Sequence, residues 1–278
     1  MAKSRKKKKT KNRMFTAGLS GVAACCIGLL LLHDCFRYQV NKKETIVAET
    51  KVEKPEIPQL QNGRKEQIIH HEGYTVSYNP EYKIANWVAY ELTAEEAGGQ
   101  LKRSGNFIPD PMVAGDETST NEDYARSGYD RGHLAPAGDM KWSHKAMQES
   151  FYYTNICPQD KGLNTGIWNS LEMQCRTWAS RYGSLLIVSG PVIEDSLRRL
   201  GSHRVGIPNT FYKVICIPSG KKPKGIGFLF ENRKYTKTAI RMRAVSIDSV
   251  ERVSGIDFFP SFPFEVQEEM EASSEWEY

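Results

Sequence analysis

An uncharged, mostly apolar stretch at residues 14–32 is the feature that most limits how this chain can fold. At a rise of 1.5 Å per residue, a helix of this length spans about 28 Å, close to the thickness of the hydrocarbon core of a bilayer. Residues 1–13 carry eight Lys or Arg and no acidic residue, and such a block stays on the cytoplasmic side. The pattern predicts a transmembrane signal anchor that places the rest of the chain outside the cytoplasm, in the periplasm or at the cell surface.

Two alternatives stay open for this N-terminal segment. A lipoprotein signal is suggested by Val-Ala-Ala-Cys at residues 22–25, although the apolar run continues for seven residues after Cys25. A cleaved signal peptide, which would release a secreted protein, requires small residues at the end of the apolar run. Residues 29–32 are instead all leucine, so the uncleaved anchor fits best.

Composition divides the chain into residues 1–13, 14–32, 33–66 and 67–278. Residues 33–66 are polar, contain two prolines and show little periodicity, which is typical of a linker. The net charge of +5 comes from the basic block, because without it 30 basic residues stand against 33 acidic ones. The domain predicted at residues 67–278 therefore lacks a general positive field for polyanions, and nucleic-acid binding requires a local site.

Hydrophobic periodicity after residue 67 predicts a mixture of strands and helices. Strands are expected at residues 73–78, 84–92, 185–188, 210–217 and 225–230, and helices at 143–151, 167–182 and 248–254. The absence of βαβ regularity favours an α+β fold. The acidic tail from Glu265 is expected to be a solvated end. The spacing of Cys157, Cys175 and Cys216 favours one buried free thiol and leaves room for one disulfide.

The sequence Asp-Arg-Gly-His at residues 130–133 carries groups suited to cutting a phosphodiester. That reaction needs a base for the attacking water and positive charge for the transition state. His133 is suited to be the base, and Arg131 offers a permanent charge with a fork that matches phosphate. Asn164 offers a neutral oxygen ligand for Mg²⁺, and Glu172 can act through a coordinated water. Each residue also fits a structural role, such as a helix cap for Asn164 or a solvated helix face for Glu172.

Several ordered motifs resemble those of the DNA/RNA non-specific endonucleases, which are endonuclease G-like members of the ββα-metal, or His-Me finger, nucleases. The motifs lie at residues 130–133, 154–159, 163–168 and 171–172, with supporting matches at 85–90, 189–192 and 253–260. The resemblance covers most of the chain after the linker. It implies a mainly antiparallel central sheet flanked by helices, with a ββα-metal catalytic motif.

The resemblance also implies roles for individual residues. It makes His133 the general base and Asn164 the direct ligand of one Mg²⁺, for which Mn²⁺ can substitute. Supporting roles toward the base, the metal-bound waters or the phosphate fall to Arg131, Asn155 and Glu172. A further phosphate-contacting arginine is expected upstream of an Asp-Pro pair, where Arg103 is the candidate, although Gly105 can occupy that register.

The implied function is a membrane-anchored endonuclease that hydrolyses both DNA and RNA to products with a 5′-phosphate and a 3′-hydroxyl. A homodimer is compatible with this function. One alternative is a catalytically silent, nuclease-like module that binds nucleic acid or a partner at the cell envelope. The intact His133, Asn164 and Glu172 argue against that module. A second alternative is a hydrolase of another phosphodiester.

Overall fold

A computed structural model defines residues 54–219, 222–236 and 239–276 of the chain. Its strands are β1 (Gln59–Leu60), β2 (Gln67–His70), β3 (Thr75–Asn79), β4 (Ile84–Thr93), β5 (Tyr129–His133), β6 (Ile156–Asp160), β7 (Ser184–Pro191), β8 (Arg198–Leu200), β9 (Val205–Ile207), β10 (Thr210–Ile217), β11 (Lys224–Glu231), β12 (Ala244–Val245) and β13 (Ile256–Asp257). Its α-helices are α1 (Ala94–Ala97), α2 (Asn121–Tyr124), α3 (His144–Glu149), α4 (Asn169–Tyr182), α5 (Ile247–Ser254) and α6 (Phe264–Glu271).

Seven of these strands form one sheet in the described part of the chain, in the order β12-β11-β10-β7-β4-β3-β2. Every neighbouring pair in it is antiparallel. The structure therefore confirms the predicted α+β class with a mainly antiparallel central sheet. The strands and helices predicted from periodicity are all present, with ends that differ by a few residues.

Both faces of the sheet are covered, so its strands are buried on both sides. On β4, Tyr90 and Leu92 contribute to one apolar layer, and Trp87 and Ala89 contribute to the other. Helices α5 and α6 cover the second layer through Ile247, Val250 and Met270. The first layer is covered by α4 and by the hairpin that β5 and β6 form, through residues that include Leu134, Ile156, Trp168 and Trp178. The hairpin followed by α4 is a ββα unit.

The N-terminal part of the described chain packs on this domain. Strand β1 pairs antiparallel with β13, and the Arg64 guanidinium donates to the carbonyl oxygens of Ser254 at 3.0 Å and Ile193 at 2.7 Å. Residues 54–66, which the sequence assigned to the linker, therefore belong to the folded unit, and this corrects the boundary predicted at residue 67. The reason is that a two-residue strand and one arginine give no periodic signal.

Two further expectations are corrected at the level of the fold. The tail from Glu265 was expected to be solvated, but α6 begins at Phe264 and buries Met270 and Glu271. Cys157, Cys175 and Cys216 are all buried and free, so the disulfide that the sequence left open is not formed.

No helix in the described residues has the length and apolar character needed to cross a bilayer. Residues 14–32, where the span is predicted, lie outside the described residues.

Candidate active site

The β5–β6 hairpin positions the Asp-Arg-Gly-His sequence beside the motif that follows α3. Its register pairs His133 with Ile156 and Gly132 with Cys157. A Cβ atom at residue 132 would lie 2.2 Å from the Oε1 atom of Gln159, so only glycine fits between the strands here. The glycine of the motif is therefore required by its packing against the Gln159 side chain.

His133 lies in an aromatic pocket with 7% of its surface exposed. The rings of Phe107 and Phe151 contact the imidazole, with centroids 5.5 Å and 5.0 Å away. Burial, together with the positive charge of Arg103, lowers the pKa of His133 from 6.5 to about 3. The imidazole is therefore neutral throughout the physiological pH range, which is the state that can accept a proton.

The two nitrogens of His133 take different roles. Nε2 is fully buried and has no hydrogen-bond partner among the described residues. His133 as a whole keeps a small exposed fraction. Since an imidazole N–H tolerates an aromatic face better than a lone pair does, we assign the proton to Nε2 and the accepting lone pair to Nδ1.

The loop before α2 brings a cation to this pocket. The guanidinium carbon of Arg103 lies 5.2 Å from the centre of the Phe151 ring. The loop is held in place by Asp110, whose carboxylate accepts from Thr154 Oγ1 at 2.6 Å and contacts His71 Nε2 at 2.9 Å. Gly105 also packs on Phe151 but carries no charge. Arg103 is thus the cation that this loop brings close to His133.

Arg131 lies on the same strand as His133 and is held from two sides. Its Nε donates to Tyr153 Oη at 3.1 Å, and its NH2 group donates to the Asn121 carbonyl at 3.0 Å. The rings of Phe107 and Tyr124 contact its guanidinium. These contacts fix a permanent positive charge near the pocket that contains His133.

Asn155 is buried and its side chain binds only backbone atoms. Its Oδ1 accepts from the Ala135 N–H at 2.9 Å, and its Nδ2 donates to the carbonyls of Ala135 and Ser150 at 2.8 Å each. These bonds fix the chain that leaves β5 directly after His133. The geometry therefore gives Asn155 a role in positioning the base, and all polar atoms of its amide are used for that purpose.

Asn164 lies in a wide helical turn, Leu163–Trp168, that precedes α4 and is interrupted at Gly166. Its Nδ2 donates to the Asp130 carboxylate at 3.0 Å, which fixes the orientation of the amide. The amide oxygen is then the atom of Asn164 with ligand chemistry. The same turn is joined to the motif by Trp168, whose Nε1 donates to the His133 carbonyl at 3.3 Å. Both ends of the Asp-Arg-Gly-His sequence are thus tied to the segment that carries Asn164.

Glu172 follows on α4 and is partly exposed, and it belongs to a group of charges with Lys213, Arg176 and Asp139. Burial raises its pKa from 4.5 to about 7, while the charges of Lys213 and Arg176 act to lower the pKa and that of Asp139 acts to raise it. Arg176 donates to the Asp139 carboxylate at 2.6 Å, and Tyr90 Oη donates to the same carboxylate at 2.9 Å. Two cations and two carboxylates therefore balance one another in this group.

Sequence reasoning missed Lys213, Asp139 and Arg176. Lys213 is fully buried in the middle of β10, where its ammonium group donates to Ser189 Oγ and contacts the Trp168 ring. A lysine within an otherwise apolar strand was the available signal, since lysine is almost never fully buried without a partner. Arg176 stands one helical turn after Glu172, a spacing at which opposite charges on a helix meet.

These residues fit a hard divalent cation of the Mg²⁺ type. The donors on offer are the oriented amide oxygen of Asn164 and the carboxylate of Glu172, and both are oxygen ligands. A neutral histidine, two arginines and oxygen donors on a ββα unit define the class of protein: a metal-dependent nuclease of the ββα type.

The chain belongs to the DNA/RNA non-specific endonuclease family, whose model matches residues 54–265. It is 33% identical over 266 residues to the mitochondrial nuclease EXOG of Xenopus laevis, covering 88% of this chain and 72% of that protein. It is 32% identical to mitochondrial endonuclease G of Homo sapiens, covering 70% of each chain. A crystal structure of the EndoG/EndoGI complex matches with a TM-score of 0.68 and 32% identity, covering 72% of this chain and 88% of that one.

The chain covers a smaller share of the length of three other relatives. The chain spans 59% of the length of nuclease EXOG from Danio rerio and 55% of the length of those from Mus musculus and Homo sapiens.

Proposed function

We propose that this protein is an endonuclease that hydrolyses phosphodiester bonds of both DNA and RNA, with His133 as general base and Asn164 as the ligand of one Mg²⁺. The observation that carries the proposal is the Asp130–Asn164 hydrogen bond. It joins the candidate metal ligand to a residue three positions before the candidate base, so that both lie on one rigid ββα unit. The names of the relatives, which are nucleases, support the same conclusion.

The chain's own groups divide the work of the reaction. Nδ1 of His133 accepts a proton from the attacking water, which is possible because the depressed pKa keeps the imidazole neutral. Arg103 and Arg131 bind the phosphate and stabilise its negative charge in the transition state. When bound by Asn164, Mg²⁺ would supply further positive charge to stabilise the transition state. The products carry a 5′-phosphate and a 3′-hydroxyl.

Exchange of His133 for alanine tests the proposal. In a plasmid-nicking assay with the full chain and Mg²⁺, we expect His133→Ala to lose about 10²–10⁴-fold in rate, because the water loses its general base. His144→Ala is the matched control, since His144 is an exposed histidine at the start of α3. Circular dichroism should show both variants folded. Full activity of folded His133→Ala would remove this residue from the mechanism.

A chelator arm of the same assay separates the proposal from the catalytically silent module. The wild-type chain should nick plasmid DNA and cleave RNA with Mg²⁺ or Mn²⁺, and EDTA should stop both reactions. Retention of nucleic acid without cleavage at any metal concentration would instead identify a binding module. A small phosphodiester, such as bis-p-nitrophenyl phosphate, is used in parallel. Its cleavage in preference to nucleic acid would identify the protein as a hydrolase of another phosphodiester.

We propose that residues 14–32 anchor the protein in a membrane with the nuclease domain outside the cytoplasm. The support is the uncharged stretch behind eight basic residues. The relatives include mitochondrial proteins, so a mitochondrial membrane is an alternative location. Mass spectrometry of the purified N-terminus distinguishes an intact anchor from a lipidated or cleaved end, and protease protection of membranes reports the side of the domain. Size-exclusion chromatography with light scattering tests whether the chain forms a homodimer.

A further inference from the structure

Three carboxylates meet between α5 and α6, on the face of the sheet opposite the layer that contains His133. One oxygen each from Asp248, Glu251 and Glu271 lies within 4.8 Å of the other two. We call these three residues the acidic cluster. Asp248 is exposed, Glu251 is half-buried and Glu271 is 7% exposed, so the cluster runs from solvent into the protein.

The packing of the two helices holds the acidic cluster together. A Cβ atom at Gly225, at the start of β11, would lie 2.5 Å from Ile247 Cδ1 and 2.7 Å from Met270 Cγ. Ile247 precedes Asp248 on α5, and Met270 precedes Glu271 on α6. The helices therefore sit as close to the sheet as a glycine allows, and apolar packing keeps the like charges near one another.

The carboxylate of Glu271 is incompletely hydrogen-bonded. Its Oε1 atom is buried and has no hydrogen-bond partner in the described chain. Glu251 differs, because its Oε1 accepts from the Phe258 N–H at 2.8 Å. Burial, followed by the negative charges of Glu251, Asp257 and Asp248, raises the pKa of Glu271 to about 8. A buried carboxylate in such surroundings requires either a proton or a cation.

We propose that the acidic cluster is a second metal site, which binds Ca²⁺ and joins α5 to α6. Ca²⁺ binds carboxylate oxygens at 2.3–2.6 Å, so two ligands on opposite sides of the ion are roughly 4.6–5.2 Å apart. The spacing of the acidic cluster admits such an ion, with the exposed Asp248 at the mouth and the buried carboxylate of Glu271, which has an unpartnered oxygen, at the base. Mg²⁺ fits less well, because it keeps most of its waters and binds few protein ligands. The role is structural, since the site lies across the sheet from His133.

Thermal unfolding of the full chain tests the site without relying on catalysis. With Mg²⁺ held in excess, Ca²⁺ should raise the Tm by several degrees in a saturable way, because the folded state alone assembles the three ligands. The shift should disappear in Glu271→Gln, which keeps the size of the side chain but removes its charge. The matched control is Glu268→Gln, which changes an exposed residue on the same helix and should keep the full shift.

Two further measurements identify where Ca²⁺ acts. Asn164→Ala should retain the Ca²⁺ shift, because the catalytic metal is bound elsewhere, and Glu271→Gln should retain plasmid nicking with Mg²⁺. Isothermal titration of the wild-type chain should show one Ca²⁺ site that is missing in Glu271→Gln. The proposal is wrong if Ca²⁺ leaves the Tm unchanged, or if Glu271→Gln shows the wild-type shift. Loss of the shift in Asn164→Ala would also overturn it, by placing the ion at the catalytic site.

Discussion

At the scale of single residues, one hydrogen bond decides which atom Asn164 offers to a metal. An amide side chain can turn either its oxygen or its nitrogen outward, and only the oxygen binds a cation. The Asp130 carboxylate accepts from Nδ2 and so selects the productive orientation. Partners of this kind, which orient a ligand without touching the metal, commonly change metal affinity when they are removed.

We therefore expect Asp130→Ala to raise the Mg²⁺ concentration needed for half-maximal plasmid nicking by roughly 10-fold or more. The maximal rate at saturating Mg²⁺ should fall much less, because His133 is unchanged. Asp130→Asn is the matched control, since its amide oxygen still accepts from Asn164 Nδ2 and the Mg²⁺ requirement should rise less. An unchanged Mg²⁺ requirement in folded Asp130→Ala would show that Asn164 needs no such orientation.

Lys213 opposes the effect of burial on the ionisation of Glu172. Its ammonium group is the foremost of the charges that oppose the effect of burial on the Glu172 pKa. Removing it leaves two carboxylates, Glu172 and Asp139, with the single cation Arg176. The pKa of Glu172 should then rise further above its value of about 7.

The pH profile of nicking measures this effect in Lys213→Met. Glu172 acts as a carboxylate, so at sub-saturating Mg²⁺ the active fraction falls as the pH drops through the pKa of the metal-free site. A higher pKa moves this acidic limb of the profile to higher pH. Ser189→Ala removes the hydroxyl that accepts from Lys213 but keeps the charge, so its profile should stay close to that of the wild type. An acidic limb at the same pH in wild type and Lys213→Met would exclude Lys213 from this role.

At the scale of secondary-structure elements, the β5–β6 hairpin depends on the absence of a side chain at Gly132. An added methyl group would overlap the side chain of the buried Gln159 and force the two strands apart. We expect Gly132→Ala to lower the free energy of unfolding by roughly 1–3 kcal/mol, measured by urea denaturation. Gly115→Ala is the control, because a Cβ atom there meets nothing within 4 Å. Equal stability of the two variants would contradict the packing argument.

The elements that sequence patterns predicted are those whose burial follows a period. Strand β10, Thr210–Ile217, and helix α5 have such patterns, and the structure confirms both. Strand β5 was missed as a strand because Tyr129–His133 lacks apolar alternation; its charged and glycine residues serve the site and its shape comes from pairing with β6. Helix α6 was missed because more than half of its residues are glutamates or glutamine, and the single buried apolar residue, Met270, gives no periodic pattern.

The candidate site could be predicted in the same partial way. The motif residues at 130–133, 155, 164 and 172 could be predicted from the sequence. In the structure they lie on β5, directly before β6, in the turn before α4 and on α4, respectively. The group formed by Lys213, Asp139 and Arg176 was not available, because it unites β10, the chain after β5 and α4 through contacts that exist only in the folded state.

At the scale of the whole molecule, residues 54–66, which we call the strap, pack across the second layer of the sheet. Strand β1 extends the fold by pairing with β13 after α5, and Ile57 and Leu60 pack on the same apolar cluster as Phe258. Arg64 adds two hydrogen bonds to carbonyl oxygens in separate parts of the domain. The strap therefore closes the layer opposite the catalytic unit.

A comparison of two truncations measures how much the strap stabilises the domain. A fragment that starts at Gln67 should unfold with a free energy roughly 2–4 kcal/mol lower than one that starts at Lys54, because it loses the Arg64 hydrogen bonds and the β1 pairing. Urea denaturation gives this difference. The specific nicking activity of the folded fraction should be equal, since the strap lies on the face away from His133. In the longer fragment, Arg64→Ala should reproduce part of this loss in the free energy of unfolding. Lys65→Ala, which changes an exposed neighbour, should have little effect. Equal stability of the two fragments would mean that residues 54–66 rest on the domain without stabilising it.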